Sequence, residues 1–120
     1  MEIKIGCTGW SYQGWSATFY PKNLKSSEWL KYYSQIFSIT EINSTFYKIP
    51  SQEIVRRWNE DTPKYFKFTA KFPSIITHEK RLDGINSEIF SFLTSLLPIH
   101  EKISALVLQL PPSLTFNEPV

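Results

Sequence analysis

A chain of 120 residues, 42% apolar and 16% aromatic, is long enough for one domain with a packed core and too apolar for a disordered segment. Its formal charge of +2, from 13 Lys and Arg against 11 Asp and Glu, is scattered along the chain, so no basic stripe of the kind that grips nucleic acid stands out. Cys7 stands alone and excludes an internal disulfide, and no apolar run approaches the ~20 residues of a membrane helix. The opening Met1-Glu2-Ile3-Lys4-Ile5 reads as a strand and not as a leader, which makes the cytoplasm the expected compartment, with no membrane partner.

In chain order, Ile3, Ile5 and Cys7 alternate with Glu2, Lys4 and Gly6, a period-2 run that predicts a first strand ended by Gly9. The loop from Thr8 to Trp15 sets two Trp and a Tyr among glycines, either as a lid over a pocket or as packing against neighbouring loops. With Ser26 or Ser27 as N-cap, Trp29, Leu30, Tyr33, Ile36 and Phe37 fall at helical spacing. A second strand is predicted from about Ile39 to Asn43. Ser51 then caps a short helix with Ile54, Val55 and Trp58 on its buried stripe, which Asp61-Thr62-Pro63 stops.

The third strand, Tyr65 to Phe72, alternates cleanly, with Phe66, Phe68 and Ala70 on one face and Lys67, Thr69 and Lys71 on the other. A charged loop from Pro73 to Gly84 follows. Ile85, Ile89, Phe92, Leu93, Leu96 and Leu97 make the stripe of a third helix that Pro98 ends, and Ala105 to Leu110 is an apolar run expected to be a strand covered on both faces. Four strands alternating with three helices predict an α/β fold with a parallel sheet. Period and order fit a small doubly wound sheet as well as part of a barrel, and Gly6-x-x-Gly9 is not the G-x-G-x-x-G phosphate fingerprint.

Three runs carry a resemblance. Glu41-Ile42-Asn43-Ser44-Thr45-Phe46-Tyr47 with Pro50, preceded by Gly6-x-Thr8-Gly9-Trp10-Ser11-Tyr12 and followed by Lys71-Phe72-Pro73-x-x-Ile76-Thr77-His78-Glu79, resembles the DUF72 (YecE-like) family. The likeness extends from Gly6 through Gln109-Leu110-Pro111-Pro112. It implies a β/α (TIM-type) barrel and no settled activity. A complete barrel takes ~250 residues, so residues 1–120 are expected to be the amino-terminal portion of one such domain, a half-barrel of about four strands and three helices.

Barrel chemistry sits at the carboxyl ends of the strands. The residues placed there are Thr8, Trp10 and Tyr12, then Glu41, Asn43 and Tyr47, then Lys71 and His78, and finally Gln109. Glu41 and Lys71 are read as a structural ion pair or as a general acid or base beside a cation that steadies negative charge. His78 is a proton-exchanging or solvated loop imidazole. Asn43, Thr45 and Tyr47 either orient a ligand or pin the turn into Pro50 through bonds to the backbone. Trp10, Tyr12, Asn43, Tyr47 and Gln109 are thus the candidate substrate contacts, and Glu41, Lys71 and His78 the candidate catalytic groups.

No metal site is predicted, because H-E-x-x-H and paired Cys are absent, and nothing in the residues names a cofactor. Cys7 reads as core and His100 as surface. Three functions compete. One is an enzyme acting on a small polar or anionic molecule. Another is a module that binds single-stranded nucleic acid or a sugar on Trp10, Tyr12, Trp15 and Tyr47. The last is an inactive part of a split barrel, whose open edges require self-association or a separate carboxyl-terminal half.

Overall fold

The computed structural model describes residues 1–115. Strands β1 (Cys7–Thr8), β2 (Ile39–Ile42), β3 (Lys67–Lys71) and β4 (Ile103–Val107) alternate with helices α1 (Trp29–Ile36), α2 (Gln52–Asp61) and α3 (Asn86–Ser95). The strands pair in parallel in the order β1-β2-β3-β4, so this is an α/β fold. The order runs without the reversal that a doubly wound sheet carries. Among the described residues the sheet is open, with β1 and β4 as its edges.

The alternation in β3 sorts its two faces. Phe68 and Ala70 are fully buried beneath the helices, while Lys67, Thr69 and Lys71 are half-buried on the other side. The core lies between the helices and that first face, built from Tyr20, Trp29, Leu30, Tyr33, Ile42, Val55, Phe66, Phe68, Phe92 and Leu96. Register lines up Thr8, Glu41, Thr69 and Ala105 across all four strands on the opposite face, where no element of the described residues covers them.

Local sequence explains the element boundaries. The Ser51 Oγ accepts from the Ile54 N–H at 3.2 Å and starts α2 as a capping serine does. The serine cap predicted for α1 does not form; Ser26–Glu28 is a 3-10 turn, and α1 grows out of it at Trp29. Tyr33 on α1 holds the first two strands together, its hydroxyl accepting from the Cys7 N–H at 2.6 Å and donating to the Ile39 carbonyl at 2.9 Å. Burial pushes the pKa of that phenol up, so it remains a neutral donor. Gly6 permits the close approach of β1 and β2, since a Cβ there would stand 1.9 Å from the Ile39 oxygen.

Some expectations need correction. Ile3 and Ile5 are not in a strand and are 73% and 74% exposed. Cys7 pairs with Thr40 and β2 begins at Ile39, so residues before Gly6 run past the start of the strand that β1 pairs with among the described residues. The apolar run of β4 is not covered on both faces: pairing ends at Val107, Ala105 is exposed, and Leu108 and Leu110 follow the strand in contact with solvent. Ile54 and Leu93 are likewise exposed, because α2 and α3 bury a narrower stripe against an open sheet than the spacing allows for; α3 ends at Ser95, and Leu97 is exposed at the start of the 3-10 segment Leu97–Lys102.

Candidate functional site

The carboxyl ends of β1 and β2 are built together. Gly9 takes φ +79°, and its N–H continues the ladder to the Glu41 carbonyl at 2.8 Å. Thr8 Oγ1 donates to Glu41 Oε2 at 3.2 Å, and the Tyr12 hydroxyl donates to the Thr8 carbonyl. Between residues 9–12 and residues 42–44 lies a cavity of about 180 Å³. A second depression of about 230 Å³ is lined by Thr8, Glu41 and Thr69 on the uncovered face. Both are below the roughly 300–1,000 Å³ of a complete small-molecule pocket.

Asn43 lines the first cavity, and its Oδ1 is buried without a hydrogen-bond partner among the described residues. The turn-pinning role falls instead to Thr45, whose Oγ1 lies 3.1 Å from the Ile42 carbonyl and 2.7 Å from the Lys71 carbonyl. That hydroxyl ties the end of β2 to the end of β3. Asn43 stands at the start of the turn and makes no capping bond.

At the end of β3 a second cluster forms around Phe46. Lys71 Nζ lies 5.7 Å from the Phe46 ring centroid, a cation–π distance. His78 meets the same ring edge to face at 5.2 Å and 90°, and Tyr47 does so at 5.2 Å and 87°. His78 is carried by a single π-helical turn, Ile75–Glu79, a distortion frequent at functional sites. Sequence reasoning missed Phe46 and the π turn. The phenylalanine sat inside the motif, but its role as a hub depends on two loops meeting.

Glu41 and Lys71 project from the same face yet form no ion pair among the described residues. Both are half-buried on a face open to water, so neither charge needs the other. The Trp10 ring stands edge-on to Trp58 at 5.6 Å and to Phe68 at 6.4 Å, so it packs on the core, and the residue also lines the cavity. The Tyr20 hydroxyl holds that backbone by donating to the Trp10 carbonyl at 2.5 Å, and burial raises the pKa of this phenol strongly. Trp15 is enclosed by Tyr12, Phe19 and Tyr20. Of the proposed stacking surfaces, Tyr47 is 77% exposed, while Tyr12 is exposed on one side only, its ring lying 4.7 Å from that of Trp15. Gln109 lies beyond the end of β4, exposed and without a hydrogen bond among the described residues.

The candidate site residues all lie within the span that matches a known family. The profile described as "Protein of unknown function DUF72" matches residues 4–120. The chain belongs to the DUF72 family. Among relatives, the UPF0759 protein YecE of Escherichia coli K12 is 35% identical over 109 residues, covering 91% of this chain and 38% of YecE. The UPF0759 protein YunF of Bacillus subtilis 168 is 34% identical over 116 residues, covering 92% of this chain and 40% of YunF. A DUF72 family crystal structure from Thermotoga maritima MSB8 superposes with a TM-score of 0.78 at 32% identity, over 96% of this chain and 46% of that one. One from Enterococcus faecalis V583, at 24% identity and a TM-score of 0.76, shares the fold over 98% of this chain and 42% of its own. This DUF72 chain therefore spans less than half the length of these relatives. No helix among its described residues is long and apolar enough to cross a membrane.

Proposed function

We propose that this chain supplies the first strands of a β/α barrel whose carboxyl strand ends bind a small polar or anionic molecule, in a site of the enzyme type. The observation that carries the reading is the buried, unpartnered Asn43 Oδ1 beside the cavity at the ends of β1 and β2. A buried acceptor without a donor costs about 1–3 kcal/mol, and a ligand N–H or O–H placed there removes that cost. Lys71 adds a cation with no carboxylate partner among the described residues, Glu41 a carboxylate able to exchange a proton, and His78 an imidazole nearby. Tyr12, Tyr47 and Gln109 are the outlying contacts of the same reading, and Trp10 contributes the cavity wall.

The test uses inorganic phosphate and glycolate as probes, titrated by calorimetry. Glycolate, which carries both a carboxylate and a hydroxyl donor, is expected to bind at least tenfold more weakly to Asn43→Leu. Without ligand, the same variant should be no less stable than the parent chain, because the Asn43 side chain makes no hydrogen bond among the described residues, and the bond from the Phe46 N–H to the Asn43 carbonyl survives the substitution. Lys71→Met should weaken both anions. Binding unchanged in both variants, or no saturable binding to the parent chain, would sink the proposal.

A second reading, that the active unit needs a covering partner, is favoured by the uncovered row Thr8, Glu41, Thr69 and Ala105 and by the exposed edges. The partner is a second copy or a separate carboxyl-terminal half. Light scattering over a range of concentrations is expected to give a discrete dimer, or a complex once the carboxyl-terminal part of a DUF72 chain is added. A 14.0 kDa monomer with a cooperative unfolding transition contradicts this.

A further inference from the structure

We infer that Thr77 is a positioning residue that fixes the His78 imidazole in the tautomer protonated at Nε2, so that neutral His78 meets a ligand as a hydrogen-bond donor and not as a base. The inference rests on the reading of the strand ends as a ligand site, but its geometry is independent of any ligand. Thr77 is fully buried, and its Oγ1 stands 2.8 Å from His78 Nδ1. Either group could donate across that distance. The surroundings of the hydroxyl decide which one does.

Other buried hydroxyls in the helices and turns pass their proton to a backbone carbonyl three or four residues earlier. Ser34 reaches the Lys31 carbonyl at 2.8 Å, Thr45 the Ile42 carbonyl at 3.1 Å, Thr62 the Trp58 carbonyl at 2.8 Å and Ser95 the Phe92 carbonyl at 2.7 Å. Thr77 departs from this pattern. It lies in the π turn, where the Lys80 N–H reaches back five residues to the Ile75 carbonyl at 2.9 Å. The carbonyl four residues before Thr77, that of Pro73, is met by the Ile76 N–H at 3.0 Å and the Thr77 N–H at 3.4 Å. Among the described residues the Thr77 hydroxyl makes no bond to a carbonyl, that of Ser74 three residues earlier included, and Nδ1 of His78 is its one hydrogen-bond partner.

If Nδ1 carried the hydrogen instead, the Thr77 proton would be buried with nothing to accept it, and the full desolvation penalty would fall on that tautomer. His100 shows the opposite arrangement: its Nδ1 stands 2.7 Å from the Leu97 carbonyl, which can only accept, so there Nδ1 is the protonated nitrogen. Phe46, edge to face with His78, fixes the plane of the ring that Thr77 has oriented. With Nδ1 engaged and Nε2 carrying the hydrogen, the neutral ring has no free lone pair. Proton removal from a bound molecule then falls to Glu41, and His78 polarises or steadies an oxygen.

The experiment reads the tautomer directly, by long-range proton–nitrogen correlation on imidazole-labelled chain in mildly alkaline buffer with no ligand added. His100→Gln removes the second imidazole and assigns the signals. In the parent chain, His78 is expected to show Nε2–H in roughly tenfold or greater excess. Thr77→Val should bring its two nitrogen shifts towards the average of a ring without a fixed tautomer, and Thr77→Ser should restore the parent pattern. A dominant Nδ1–H in the parent chain, or the same tautomer ratio in the parent and Thr77→Val, overturns the inference. A failed ligand titration leaves this result untouched, so the two readings fail separately.

Discussion

Phe68→Ala is expected to lower the unfolding free energy by about 3–5 kcal/mol, enough to unfold a chain of ordinary marginal stability. Phe68 is fully buried in β3, opposite Thr40 of β2 on one side and Ile103 of β4 on the other. Its ring meets Phe66 at 5.0 Å, Trp10 at 6.4 Å and Trp58 at 6.5 Å, so truncation opens a cavity among aromatic groups too rigid to collapse into it. The loss also reaches the site, because Trp10 forms part of the cavity beside Asn43. Urea denaturation followed by tryptophan fluorescence measures it. Phe90→Ala is the control: at 72% exposure, Phe90 should cost no more than about 0.5 kcal/mol. Equal effects at the two positions would refute this account of the core.

The contrast between Phe68 and Phe90 marks what the sequence makes legible. Alternation predicts a strand from Tyr65 to Phe72; the strand is shorter, Lys67–Lys71, and over that span the structure keeps the sorting into a buried and a half-buried face, while Phe72 beyond it is only half-buried. The Ser51 cap and the Thr62-Pro63 stop bound α2 for reasons confined to a few neighbouring residues. Where the outcome depends on a distant neighbour, local pattern falls short. Ile3 and Ile5 have the alternation of a strand but no strand beside them, and the run at β4 has the composition of a doubly covered strand on a sheet with one face open. Pattern states which face is able to bury, and the rest of the fold decides whether anything arrives to cover it.

The candidate site divides in the same way. Polar residues at strand ends pick out Glu41, Asn43 and Lys71 from position alone. The pairing of Glu41 with Lys71 does not follow from their shared face, because two half-exposed charges gain little from meeting. Phe46 and Thr77, which orient Lys71 and His78, are ordinary residues in sequence. They matter because the turn after β2 and the π turn after β3 are brought together, with the Thr45 hydroxyl holding the first to the Lys71 carbonyl.

Lys102→Met is expected to cost about 2–3 kcal/mol, unusually large for a lysine. Lys102 is 7% exposed, and its Nζ donates to the Asn59 carbonyl at 2.8 Å, the Thr62 carbonyl at 2.9 Å and Thr62 Oγ1 at 3.0 Å. Asn59 and Thr62 are at the carboxyl end of α2, where the last carbonyls lack helical partners and the helix dipole favours a positive charge. Burial pulls the lysine pKa down, while three oxygens at hydrogen-bonding distance hold its proton in place. Met fills the same volume but leaves two carbonyls and a hydroxyl facing an apolar chain. Because Lys102 immediately precedes β4, the loss loosens the joint between α2 and the edge of the sheet. Lys67 provides the comparison: the residue is half-buried, but the bond from its Nζ to the Glu101 carbonyl at 3.2 Å is open to solvent, so Lys67→Met should stay within about 0.5 kcal/mol of the parent. Raising the salt should leave the Lys102 effect nearly unchanged, since a buried ammonium is poorly screened. If denaturation gave Lys102→Met the stability of Lys67→Met, the ammonium would be solvated, and the joint would be held by apolar packing alone.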